Sequence, residues 1–97
     1  MIKGKTSGGF EFEYDEHRLD DMRIVDLIAE ADSPTASAFS RFRISSVLVE
    51  MILGAELKAD LYAFIGKNYG GRVPQQDLED ALREIMAAAG KDAEKNS

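Results

Sequence analysis

The stretch from Pro34 to Leu53 constrains this chain most, because it is the longest segment compatible with one helix and holds the densest run of large apolar residues. Ser33 before Pro34 supplies a start signal. A serine side chain accepts a hydrogen bond from an orphan amide of the first turn, and proline tolerates the first helical position. Gly54 supplies the stop. Between them Phe39, Phe42, Val47, Leu48, Met51 and Ile52 recur at the three- and four-residue spacings of one helical face. Ile44, Val49 and Leu53 lie off that stripe, so the apolar arc is wider than one partner helix needs. Helices of that kind are covered on several sides. The three off-stripe residues are therefore the candidates for self-association, with part of the cover coming from another copy.

The rest of the chain arranges itself around this helix. Ile2 to Thr6 and Phe10 to Tyr14 form a hairpin whose Ser7-Gly8-Gly9 turn uses glycine to reach positive φ. Phe10, Phe12 and Tyr14 alternate with Glu11 and Glu13, the pattern of a sheet covered on one face. Asp15 to Arg18 reads as a polar link. Asp20 or Asp21 caps a helix reaching Ala31, with Ile24, Leu27, Ile28 and Ala31 inward. A third helix opens at Ala55 or Glu56 and carries Leu57, Leu61, Phe64 and Ile65. After Asn68-Tyr69-Gly70-Gly71, Pro74 leads a fourth helix with Leu78, Ala81, Leu82, Ile85, Met86 and Ala89 inward, ended by Gly90. The expected fold is mainly α (α+β), a small N-terminal β-hairpin followed by a four-helix bundle-like domain. One domain spans residues 1–90, with the hairpin over 1–14, the helical part over 20–89, and 91–97 as a flexible tail.

A chain of 97 residues is near the lower end of what supports its own core, so oligomerisation is expected to help. Its net charge of −6 disfavours nucleic acid, whose phosphates attract basic surfaces. No apolar run approaches the roughly 20 residues that span a bilayer, and the start lacks the apolar middle of a secretory signal, so no membrane association and a cytoplasmic location are expected. With no cysteine, disulfides and thiolate metal sites are excluded.

The search for chemistry yields no catalytic constellation. His17 has no second histidine or cysteine with which to build a transition-metal site, and it reads as a solvated linker residue. Asp20 and Asp21 suit a helix N-terminus better than acid–base work. Serines 33, 37, 40, 45 and 46 lack a base and an orienting group. Gly70-Gly71-Arg72 lacks the Lys-Ser/Thr continuation of a phosphate loop and follows no strand. Arg41 and Arg43 flank Phe42 and read as a solvated face, with an acidic partner as the minor alternative. No metal, cofactor or catalytic residue is expected.

Leu53-Gly54-Ala55-Glu56, a short amphipathic helix, Gly71-Arg72-Val73-Pro74 and a last helix carrying Leu82-Arg83-Glu84-Ile85 together resemble the tail assembly chaperones of long-tailed bacteriophages and prophages. Gly9-Phe10-Glu11-Phe12-Glu13 followed by Leu19-Asp20-Asp21-Met22 resembles the opening of that family, and Lys95-Asn96-Ser97 its ending. The likeness covers nearly the whole chain and lies in the order and spacing of the motifs. Where such proteins often carry Gln after the Glu, this chain has Leu57. The resemblance implies a non-enzymatic, self-associating protein of the host cytoplasm that binds the tape measure protein and helps the major tail protein polymerise around it. It also implies a longer product made by frameshifting, and Glu94-Lys95-Asn96 can be encoded GAA-AAA-AAC, which contains the slippery heptamer A-AAA-AAC.

A chaperone of this kind holds apolar helical segments of an unassembled partner in a helix-lined groove. Tyr62, Phe64 and Arg72 are the partner-binding candidates, since aromatic and arginine side chains are enriched at interfaces. Phe64 as core and Tyr62 and Arg72 as ordinary surface is the competing assignment. The alternative for the whole chain is a helical adaptor or regulatory module of bacterial origin. Gene context separates the two, because only the chaperone requires a major tail protein gene upstream and a long tape measure gene downstream.

Overall fold

The computed structural model describes residues 1–95, with side chains described to Lys91. The order is β1 (Ile2–Lys5), β2 (Glu11–Tyr14), a 3-10 turn (Glu16–Leu19), α1 (Met22–Ala31), α2 (Ala38–Leu53), α3 (Ala55–Gly66) and α4 (Gln75–Lys95). The fold is therefore mainly α with a small N-terminal hairpin and a bundle of helices, as the sequence pattern leads one to expect.

The strands pair antiparallel with Ile2 opposite Tyr14 and Gly4 opposite Phe12. Thr6 closes the turn. Its amide donates to the Phe10 carbonyl at 2.9 Å, its carbonyl accepts from Gly9 at 2.9 Å, and its hydroxyl accepts from the Phe10 amide at 3.1 Å. Gly9 sits at φ 105°, which a side chain would strain. Ile2, Phe10, Phe12 and Tyr14 are buried, so the alternating face lies on the helices rather than against solvent. The Asp15 to Arg18 region is not a plain link. Glu16–Leu19 winds into the 3-10 turn, and Asp15 accepts from the His17 amide at its start.

Helix α2 is the centre of the packing and touches α1, α3, α4, β2 and the 3-10 turn. Its buried residues are Ile44, Ser45, Leu48, Val49, Ile52 and Leu53. Around them lie Ile24 of α1, Leu61 and Ile65 of α3, and Leu78, Ala81, Leu82 and Ile85 of α4. The buried Ser45 satisfies its hydroxyl by donating back to the Arg41 carbonyl at 3.1 Å.

Two boundaries differ from the sequence pattern. Helix α2 begins at Ala38 rather than Pro34, with Ser37 as the cap that accepts from the Ser40 amide at 3.1 Å. Ser33 instead starts a turn, its carbonyl accepting from Ala36 at 3.0 Å and its hydroxyl from Thr35 at 3.3 Å. Proline at the second position of a turn has the same fixed φ as at a helix start, so the Ser-Pro signal fits both. At the other end, α4 passes Gly90 and continues to Lys95. One glycine costs a helix only about 1 kcal/mol relative to alanine, which does not by itself stop it. Asn96 and Ser97, the end of the expected tail, lie outside the described residues.

Candidate functional site

Helix α2 carries two apolar faces. One is the core face just described. The other runs through Phe39, Phe42, Arg43, Ser46 and Val47, at the i, i+3, i+4, i+7, i+8 spacing that puts them on a single stripe. Phe39 is 74% exposed and Val47 37% exposed. This stripe forms one wall of a groove of about 360 Å³, and Tyr62 of α3, Val73, and Gln75 and Leu78 of α4 form the other. The turn through Ser33–Ala36 brings the chain to the Ser37 cap and places Phe39 in the first turn of α2, where it is largely exposed.

The groove is positioned by polar contacts at its margins. The hydroxyls of Ser46 and Tyr62 are 3.1 Å apart and fix the spacing of α2 and α3. The Lys58 ammonium lies 5.6 Å from the centre of the Tyr62 ring and pairs with Glu50 at 3.3 Å. Arg43, the one charged residue in the lining, pairs with Glu30 of α1 at 3.6 Å. Apart from Arg43 and Gln75 the exposed lining is aromatic and aliphatic, so the groove suits a mainly apolar occupant. The larger groove beside the hairpin, about 570 Å³, is instead flanked by Lys3, Lys5, Glu11 and Glu13.

The three partner-binding candidates do not converge. Tyr62 lines the groove. Phe64, two residues further along α3, points to the other side, with its ring 5.5 Å from that of Phe10 and the Lys67 ammonium 5.4 Å from its centre. Arg72 is exposed in the α3–α4 loop, its guanidinium 5.6 Å from the Tyr69 ring centre. Tyr69 in turn donates to Asp77 at 2.9 Å, which ties that loop to the start of α4.

The self-association candidates are placed differently from the sequence expectation. Ile44, Val49 and Leu53 are 1%, 0% and 7% exposed, all inside the core of a single chain. They fill the space between α2 and its own neighbours, so they present no surface to another copy. The apolar arc is as broad as the sequence pattern predicts, but it divides differently: Leu48 and Ile52 of the predicted core stripe are buried together with Ile44, Val49 and Leu53, whereas Phe39 and Val47 of that stripe are exposed.

The remaining polar candidates act as caps. Asp15, Glu16 and His17 bring their ligand atoms within 4.8 Å of one another, but all three are exposed. Asp15 accepts from both the His17 amide and its ring Nδ1 at 2.9 Å, and Glu16 pairs with the Met1 amino group at 3.0 Å. The hydrogen bond from the His17 amide holds the Asp15 carboxyl below its ordinary range, and Asp15 in turn raises the imidazole. Asp21 caps α1 by accepting from the Arg23 amide at 2.9 Å, while its carboxylate meets the Arg23 guanidinium at 2.7 Å. That side-chain contact is the first cause of its lowered pKa. Gly70 and Gly71 have φ 66° and 96°, and the Gly71 amide donates to the Gly66 carbonyl at 2.9 Å, so this glycine pair closes α3 rather than cradling a phosphate.

Among the described residues no helix is long and apolar enough to cross a membrane. No protein-family model, no curated protein and no solved structure matches this chain.

Proposed function

We propose that this chain is a tail assembly chaperone of a long-tailed phage or prophage, which holds apolar helical segments of the tape measure protein until the major tail protein polymerises around it. The observation that carries the reading is the uncovered second face of α2, where Phe39, Phe42 and Val47 face Tyr62, Val73 and Leu78 across an open groove. A helix laid into such a groove anchors through residues at i, i+3, i+4 and i+7. Little charge lines it, so binding is driven by apolar burial and stays moderate, because ordering and lost translational freedom offset much of the gain. A chaperone requires that balance, since it must release its client. Support also comes from the ordered motifs that resemble the family over nearly the whole chain.

On this reading the protein is not an enzyme, works in the host cytoplasm and self-associates. Its gene yields a minor, longer product by slippage at Glu94-Lys95-Asn96. The test is expression of the native gene with its downstream DNA and an N-terminal tag, followed by blotting and mass spectrometry. A longer product continuing in the minus-one frame from Lys95 or Asn96 supports the reading. A single 97-residue product removes frameshifting from it and shifts weight to the bacterial adaptor.

A further inference from the structure

The hairpin presents a second surface, independent of the α2 groove. Thr6 donates to the Phe10 carbonyl, and bonded and non-bonded pairs alternate along an antiparallel ladder. Gly4 with Phe12 and Ile2 with Tyr14 are therefore the bonded pairs, while Lys3 with Glu13 and Lys5 with Glu11 are not. The backbone amides and carbonyls of Lys3 and Lys5 thus point away from β2, toward the free edge of β1.

A groove of about 310 Å³ lies along that edge. Its far side is one face of α4, made by Glu84, Ala87, Ala88 and Lys91 at i, i+3, i+4 and i+7. The two alanines leave room for another backbone. Phe12 also lines the groove, its ring turned under Gly4 so closely that a Cβ there would lie 2.6 Å from Cζ. Three lysines surround this space on a chain whose net charge is −6. Lys3 lies 3.8 Å from Glu13, whereas Lys5 and Lys91 make no ion pair among the described residues. Glu84, the one carboxylate in the lining, accepts from the Ser7 amide at 3.0 Å.

We infer that this edge takes an extended segment of a partner protein as a third strand, and that the segment alternates acidic with small apolar residues. The apolar side chains lie on Ala87, Ala88 and Phe12, the acidic ones face Lys3, Lys5 and Lys91, and the main chain bonds to the outward groups of Lys3 and Lys5. Main-chain bonds supply affinity and the alternate side chains supply selection, as in other strand-addition complexes.

The experiment titrates the full, isotopically labelled chain with two short blocked peptides, one alternating Glu with Val and one alternating Lys with Val, and follows amide signals by NMR. The Glu peptide is expected to shift Lys3, Lys5, Ala87 and Ala88, to slow exchange of the Lys3 and Lys5 amides, and to bind about tenfold tighter than the Lys peptide, as a few exposed ion pairs allow. In the Lys3→Glu, Lys5→Glu double variant that preference inverts. Absence of binding, equal binding of the two peptides by the natural chain, or shifts centred on Phe39 and Val47 each overturn the inference. The two-peptide comparison on the natural chain decides the matter even if the variant fails to fold, and no outcome depends on the tape measure protein.

Discussion

The Tyr14 hydroxyl donates to the main-chain carbonyl of Ile85 at 2.8 Å, joining the end of the hairpin to the middle of α4. Both residues are buried, and burial raises the Tyr14 pKa above its ordinary value of 10.0. An isolated two-stranded hairpin is marginal in water, so this bond adds to the burial of Ile2, Phe10, Phe12 and Tyr14 in holding β1 and β2 onto the helices. Tyr14→Phe keeps the ring and removes the bond. Urea unfolding is expected to show a loss of about 1 kcal/mol, the usual net value of a buried hydrogen bond.

The two faces of α2 separate stability from binding. Ile52 is fully buried, and Ile52→Ala is expected to cost about 2–5 kcal/mol by leaving a cavity. Phe39 lies on the exposed face, and Phe39→Ser is expected to change unfolding free energy by no more than about 0.5 kcal/mol. Denaturant midpoints of the two variants measure the contrast, and equal losses contradict the placement of the faces.

Gly54 joins α2 to α3 with φ 88° and ψ 164°, a backbone region that is essentially closed to other residues. A Cβ there would also lie 3.3 Å from Arg18 Nη1, which donates to the Ile52 carbonyl at 3.1 Å. Gly54→Ala is expected to destabilise by about 1–3 kcal/mol. Thermal or urea unfolding of the variant checks this.

The His17 imidazole is raised above its ordinary value of 6.5, first by the hydrogen bond to Asp15 and then by the charges of Asp15 and Glu16. A group with a raised folded-state pKa adds stability in full below its unfolded value, and that stability is lost as pH rises through the folded value. The stabilising effect of His17 is therefore present below pH 6.5 and fades above it. An NMR titration is expected to place its midpoint above 6.5, and Asp15→Asn is expected to lower that midpoint.

Much of the fold could be read from local chemistry. An aspartate cap at Asp20 or Asp21, Gly54 as a break and the Phe10–Tyr14 alternation each depend on a few adjacent residues, and the structure has all three, with Asp21 as the cap. The site was harder to read for a physical reason. Apolar residues surround α2, so periodicity reveals how wide the arc is but not which side its neighbours cover. That depends on where α3 and α4 pack. Ser33-Pro34 and Ser37 are likewise two valid start signals, and only the turn through Ala36 decides between them.

On the proposed function, the exposed face of α2 holds an apolar helix of a tape measure protein. The most direct measurement co-expresses the full chain with the tape measure protein that the proposal requires downstream of its gene and quantifies the purified complex, for the natural chain and for a Phe39→Ser, Val47→Ser variant confirmed as folded by circular dichroism. A soluble complex is expected with the natural chain, and its loss in the variant. No complex with the natural chain, or an undiminished complex with the variant, contradicts the proposal.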